Sequence, residues 1–217
     1  MKGKLIVIEG LDGCGKETQS NLLVDYFRSV NLNVRRISFP NYESDSSALV
    51  KMYLNSEFGN CPDDVNAYAA SSFYAVDRFA SYKKDWGKDY LNNCVIICDR
   101  YTTSNAFYQM CKLEKSHWDE YLTWLYDYEY NKLGLPKPYK VIFLNLEIDI
   151  SQKLLSDRYS NGNGKKDLHE TDIEFLKKTQ NAARYIANRD NWQIINCSKD
   201  NKIKTKEEIH KEILKII

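Results

Sequence analysis

The chain has 217 residues, enough for one sizeable core, and 31 Lys plus Arg stand against 30 Asp plus Glu for a formal net charge of +1. So even a balance excludes a global field drawing the protein to nucleic acid or an anionic membrane, and any anion has to be gripped by a local site. The longest apolar runs, Val141 to Leu144 and Cys94 to Cys98, fall far short of the roughly 20 residues of a membrane span, and the start of the chain lacks a signal-peptide pattern. A single cytoplasmic domain over residues 1–217, binding neither nucleic acid nor membrane, is the expectation.

Short runs rich in Val and Ile alternate with longer stretches of helical period, the pattern of a parallel sheet covered by helices on both faces. The first strand is expected over residues 4–9 and runs directly into Gly10, Leu11, Asp12, Gly13, Cys14, Gly15 and Lys16, where a helix over 16–30 begins. A glycine, four residues and Gly-Lys between strand and helix form the phosphate-loop pattern. Its glycines let backbone N–H groups turn inward around phosphate oxygens, the helix N-terminus adds partial positive charge, and the lysine reaches the outer phosphates.

One position departs from the pattern. The residue after Lys16 is ordinarily Ser or Thr, a magnesium ligand, and here it is Glu17, followed by Thr18. A carboxylate beside ATP phosphates is repelled, so Glu17 is expected to turn away, with Asp12, Asp99 or Glu170 near the ion. Cys14 lies close to a helix N-terminus, which favours a thiolate; a small residue filling a tight loop is the other reading.

A second strand over 34–39 ends on Phe39-Pro40, whose peptide is a candidate for the cis form, and Asn41 and Tyr42 follow. Helices are expected over 46–55 and 63–85. Within the latter, Tyr74 and Arg78 lie four residues apart, so a helix puts them on one face. Spacing alone allows either an aromatic plate and a hydrogen-bond fork gripping one base, or a core aromatic with a surface arginine.

The third strand, 94–99, closes on Asp99, where a phosphate-loop enzyme places its second acidic residue to hold magnesium or its water shell. Arg100 follows, suited to clamping an acceptor phosphate in bidentate fashion or to stapling a loop through a buried Asp-Arg pair. Asn105 and Tyr108 come just beyond this strand end, at the sheet edge where open α/β folds bind ligands.

A helix over 118–132 carries Trp118, Tyr121, Trp124 and Tyr128 as a stripe suited to core or dimer packing. The fourth strand spans 140–145, helices cover 148–157 and 171–188, the fifth strand covers 193–196, and a last helix runs from 205 to the end. Residues 160–166, SNGNGKK, read as a flexible loop. The six cysteines lack CxxC spacing and the three histidines are dispersed, which points to free thiols and against a zinc site.

GLDGCGK with Thr18 and Gln19, Phe39-Pro40, YAVDR over 74–78, DRYTTSNAFYQ over 99–109, PKP over 136–138 and DLHE over 167–170 occur in one order. In that order they resemble thymidylate kinases from Gly10 to Glu170. The resemblance implies a P-loop NTPase three-layer sandwich: a five-stranded parallel sheet, helices on both faces and a lid at about 157–169. It also implies ATP and Mg2+ as cofactors, dTMP as acceptor and a homodimer.

Residue by residue, the resemblance gives Tyr74 a ring that stacks on thymine and Arg78 a hydrogen bond to the base. It makes Asn105 a further base contact, Tyr108 the ring crowding the sugar 2′ position, and Arg100 the acceptor-phosphate arginine. Phe39 and Ser104 join the acceptor set. Where the family often has a charged residue shortly after Phe39-Pro40, this chain has Asn41, which supplies no cation, so Tyr42 or Glu43 is expected to take over polar contacts near the acceptor phosphate. Asp12, Asp99 and Glu170 are expected at the metal end. Gly13 after Asp12 goes, in this family, with a catalytic cation in the lid. Lys153, Arg158, Lys165 and Lys166 are the candidates, with Arg158 preferred because a guanidinium fork suits a phosphoryl group better than a point charge.

A phosphate monoester is already ionised near neutral pH, so such a reaction needs no strong base. It needs Lys16, Arg100, magnesium and a lid cation to offset repulsion between two polyanions. Three other readings stay open: a kinase for another deoxynucleoside monophosphate or a deoxynucleoside, a non-catalytic ATP-binding switch or partner-binding module, and a catalytically retired relative motivated by Glu17. No DxxG follows the third strand and no NKxD occurs, which weighs against a GTP switch.

Overall fold

The structure, a computed structural model, describes residues 2–160, 168–169, 172–200 and 202–217, with the side chain of Arg158 outside the description. Five short strands, β1 (Leu5–Glu9), β2 (Val34–Ser38), β3 (Val95–Asp99), β4 (Lys140–Asn145) and β5 (Gln193–Asn196), form one parallel sheet in the order β2-β3-β1-β4-β5. β2 stops at Ser38 because Pro40 offers no N–H to extend a ladder; the Phe39–Pro40 peptide is cis.

Strand alternation sorts the core into two halves. Leu5 and Val7 of β1, Ile96 and Cys98 of β3 and Phe143 of β4 face one layer, where they meet Ala106, Phe107, Leu122, Leu125 and Ile186. Their neighbours Ile6, Ile8, Ile97, Ile142 and Leu144 face the other, against Leu23, Val24 and Phe27 of α1 (Lys16–Ser29) and Ile209 and Ile213 of α9 (Lys206–Leu214). The result is the helix-sheet-helix sandwich that the apolar runs foretell. No helix among the described residues is long and apolar enough to cross a membrane.

The remaining helices are α2 (Ala48–Leu54), α3 (Ala67–Ser81), α4 (Gly87–Leu91), α5 (Thr102–Tyr108), α6 (Trp118–Tyr126), α7 (Ile148–Ser160) and α8 (Ile173–Arg189), with α5, α6 and α8 contributing to the first layer. The expected helix over 63–85 opens instead with a 3-10 turn at Pro62–Asp64 and closes with a π-helical turn at Tyr82–Trp86. The wide turn is tolerated because position 87 is glycine: a Cβ there would lie 2.3 Å from the Tyr82 carbonyl oxygen. A second π-helical turn, Asp127–Lys132, extends α6. The aromatic stripe on α6 is packed: Trp118 and Tyr121 are buried, and Trp124 stacks on Tyr128 at 5.3 Å.

α5 and a small antiparallel ribbon, β6 (Ser198–Lys199) with β7 (Lys202–Ile203), were not expected. α5 is two turns long and largely polar, too short to show a helical period. It delivers the residues after Asp99 to the carboxyl edge of the sheet.

Candidate active site

The phosphate loop bridges β1 and α1 as the pattern requires. Gly13 and Gly15 have φ of 78° and 87°, values that glycine adopts without a steric penalty. At Gly13 a side chain would also meet the Ser151 carbonyl of α7 at 2.9 Å. No side chain caps α1, so its first N–H groups are open to an anion. Lys16 folds inward, its Nζ donating to the Leu11 carbonyl at 2.8 Å and lying 3.9 Å from Asp12 Oδ1.

Cys14 corrects the thiolate reading. It is buried, and that burial pushes its thiol up despite the nearby Lys16 charge. It fills the loop.

Asp12 is the hub of the site. Arg100 Nη2 donates to Oδ1 and the Tyr108 hydroxyl donates to Oδ2 at 2.8 Å. Burial works against its charge, yet the cations Arg100 and Lys16 and the Tyr108 hydrogen bond prevail and hold its carboxyl well below the usual range. Each carboxylate oxygen of Asp12 thus accepts one hydrogen bond from an acceptor-cavity residue.

Arg100 itself has φ 64°, a conformation costing a non-glycine residue on the order of 1–2 kcal/mol. Its N–H donates to the Ile8 carbonyl at 3.2 Å, and its guanidinium lies 5.1 Å from the centre of the Tyr108 ring. Behind it Glu9 is buried, accepting from the Tyr101 N–H at 3.1 Å and the Thr103 and Ser104 hydroxyls at 2.6 and 2.8 Å. Burial raises the Glu9 pKa, with the Arg100 charge and these three bonds restraining the rise. Ser104 thus supports Glu9 and, at 3.5 Å, Arg100.

Beside this hub opens an aromatic cavity. Phe39, Tyr42, Tyr74, Arg78, Asn105 and Tyr108 all line it, so the structure gathers the expected acceptor residues into one place. Arg78 is not the surface arginine that spacing allowed. It is buried against Glu129, with Nε and Nη2 donating to the two carboxylate oxygens at 2.7 and 2.5 Å. Thr102 and Asn105 donate to the same carboxylate at 2.6 and 3.2 Å.

Gln109, unassigned by sequence, also lines the cavity. It is 1% exposed and neither amide atom has a hydrogen-bond partner. Burying an unpaired amide costs about 1–3 kcal/mol, and Gln109 lines the cavity with its hydrogen-bonding capacity unused by the protein. It follows Asn105 by one helical turn, and that spacing was the signal available.

His169 closes the same cavity. Its ring stacks on Tyr108 with 5.5 Å between centroids, and its Nε2 is 2.9 Å from the Tyr53 hydroxyl, to which Lys112 donates at 2.8 Å. Burial, then the Lys112 charge, lowers the His169 pKa to about 3, and burial lowers that of Lys112 to about 8. His169 is therefore neutral in the folded protein while the unfolded chain protonates it below about pH 6.5. Stability from this residue is complete above that pH and is lost as pH falls toward 3. Between pH 6.5 and 5.0 it accounts for about 2 kcal/mol of acid destabilisation, and urea titrations at pH 7.5 and 5.0 should show that increment in the native protein and not in His169→Phe.

At the metal end, Asp99 Oδ2 accepts from Arg36 Nη2 at 3.2 Å, and the same Nη2 is 3.8 Å from Glu17 Oε1. Glu17, expected to turn from the phosphates, lines the phosphate-loop cleft with Thr18 and Asp99. Among the described residues no group of three or more His, Cys, Asp or Glu side chains is placed to hold a metal ion. An oxygen donor set of one or two carboxylates completed by substrate phosphates is the usual magnesium arrangement, and Asp99 with Glu17 fits it. Glu170 lies outside the described residues, as do Lys165, Lys166 and the Arg158 side chain.

The comparisons with known proteins come from three directions. The thymidylate kinase family model matches residues 8–213. A thymidylate kinase of Plasmodium falciparum is 30% identical over 215 residues, covering 99% of this chain and 89% of its own, and one of Mycobacterium tuberculosis is 31% identical over 179 residues, 81% of each. The solved thymidylate kinase of Candida albicans superposes with a TM-score of 0.72 at 25% identity, over 100% of this chain and 91% of that one. With that family model spanning nearly all of a chain whose phosphate loop, Asp99-Arg100 segment and aromatic cavity share one sheet edge, the protein belongs to the thymidylate kinase family.

Proposed function

We propose that the protein transfers the terminal phosphoryl group of ATP to dTMP, giving ADP and dTDP. One observation carries this reading: the phosphate-loop cleft and the aromatic cavity share the walls Asp12, Phe39, Pro40, Tyr42 and Arg100. A donor phosphate seated on Lys16 and an acceptor held beside Tyr74 would therefore meet at Arg100.

Each residue then has a physical task. The α1 amides and Lys16 hold the donor phosphates. Arg100, oriented by Asp12, swings its guanidinium between the two polyanions and offsets their repulsion. Tyr74 gives the base a flat apolar wall, while Arg78, Asn105 and Gln109 offer hydrogen bonds along its edge, with Arg78 fixed by Glu129. Tyr108 narrows the sugar end. Mg2+, held by Asp99 with Glu17, would supply charge neutralisation between the outer phosphates. Residues 1–217 are taken as one kinase domain with Arg158 as the lid cation over 157–169, working in the cytoplasm as a homodimer.

The test is ADP release across dTMP, dUMP, dCMP, dGMP and thymidine. The expected result is kcat/KM for dTMP above every other acceptor. Phosphorylation of thymidine without dTMP, or another nucleotide outpacing dTMP, would replace the acceptor; ATP binding with no acceptor turned over would favour a binding module.

A further inference from the structure

A family with phosphate-bound magnesium calls for few protein ligands, yet this chain sets two carboxylates at the metal end where the phosphate-loop pattern has one carboxylate and one hydroxyl. Two anions there repel each other and the incoming phosphates. The structure answers with Arg36. β2 pairs with β3 so that Arg36 and Ser38 lie on one strand face and Ser38 sits across from Asp99. That register brings the Arg36 guanidinium between Asp99 at 3.2 Å and Glu17 at 3.8 Å.

Only one corner of the guanidinium makes these contacts. Its Nε is buried and has no hydrogen-bond partner, so the group is drawn to this place by charge and little else. Glu17 is well exposed, with Asp99 mostly covered. The Glu17 contact is therefore weak by itself, and the Asp99 contact is the one that a metal has to break.

We infer that Arg36 is the resident counter-ion of the metal end, a positioning residue that occupies Asp99 and Glu17 until the metal nucleotide arrives and has to be displaced from Asp99 for a divalent cation to bind. This rests on reading the phosphate loop as the ATP site. It explains how Glu17 is tolerated: the extra negative charge is matched by an extra positive one. It also makes metal binding conditional, because the free ion must compete with a tethered cation whereas the ion arriving on ATP brings phosphate ligands with it.

The experiment measures Mn2+ binding to the full chain without nucleotide, by the electron paramagnetic resonance signal of free Mn2+. Arg36→Met is expected to bind Mn2+ about tenfold more tightly than the native protein, the scale of removing one nearby unit charge at a protein surface. Arg36→Gln, which keeps a polar side chain, should do the same if Arg36→Met folds poorly. The gain should vanish in Arg36→Met/Asp99→Asn and shrink in Arg36→Met/Glu17→Gln.

Native-like Mn2+ affinity in both single variants overturns the inference, and so does a gain that survives Asp99→Asn. A flat acceptor panel alongside the expected Mn2+ result would remove the dTMP reading and leave this one standing.

Discussion

Replacing Lys16 with Met is expected to lower kcat about a thousandfold, in line with losing a charged group aimed at the transferring phosphoryl. Lys16 is the cation inside the loop, buried and donating to a single backbone carbonyl. Arg100 cannot stand in for it, because its guanidinium pairs with Asp12 at the wall shared with the acceptor cavity and, in the proposed reaction, is already committed to the gap between the two phosphates. Methionine keeps the apolar stem and removes the charge, so the fold should survive and the melting temperature should stay within about 2 °C of native, as for a substitution costing well under 1 kcal/mol in a chain of this size. Coupled ADP release and thermal denaturation check the two halves. A kcat within tenfold of native, with the loop intact, would place the phosphoryl donor elsewhere.

The largest effect on stability is expected at Glu129. Its carboxylate is fully buried and serves Arg78 twice, Thr102 and Asn105. Glu129→Ala would leave the guanidinium of Arg78 buried without its partner, a loss of about 3–5 kcal/mol. At about 2–4 °C per kcal/mol for a chain of this length, the melting temperature should fall by roughly 6–20 °C.

The control is the double change Arg78→Met/Glu129→Leu, which removes both charges. It should recover most of the stability, because a buried ion pair is often matched by apolar groups of similar volume. It should not recover dTMP turnover, because the arginine proposed to hydrogen-bond the base is gone. A double variant as unstable as Glu129→Ala would show that shape, not charge pairing, sets the cost.

Much of the fold was legible because buried parallel strands write themselves as uninterrupted apolar runs and the helices between them carry a regular period. The phosphate loop and Asp99-Arg100 were legible for a related reason: a local chain conformation demands them within a few residues. Glu129 was not, since it lies 51 residues from Arg78 and in sequence looks like one more acid in a helix. Arg36 was hidden by strand alternation on an edge, where a polar residue is ordinary. His169 was legible only as part of the DLHE motif; its place in the cavity was not, because its neighbours Tyr108 and Tyr53 come from two distant helices. What escaped was long-range partnership, which a linear pattern does not record.

The broadened helical turn at Asp127–Lys132 fixes how much chain this part of the protein must contain. Five residues separate each bonded pair there, as in the Leu133 N–H to Tyr128 carbonyl contact at 2.9 Å. Shortening the segment by one residue would restore ordinary winding and leave the flanking chain nearly in place, because the wider turn absorbs the extra residue, but the directions of the side chains inside the segment would change. Glu129 lies inside that segment, so its own direction is set by the wider turn, and its two bonds to Arg78 would be lost with it. The apparent irregularity is a spacer, and the site's geometry is counted out in residues along a helix that never touches the phosphates.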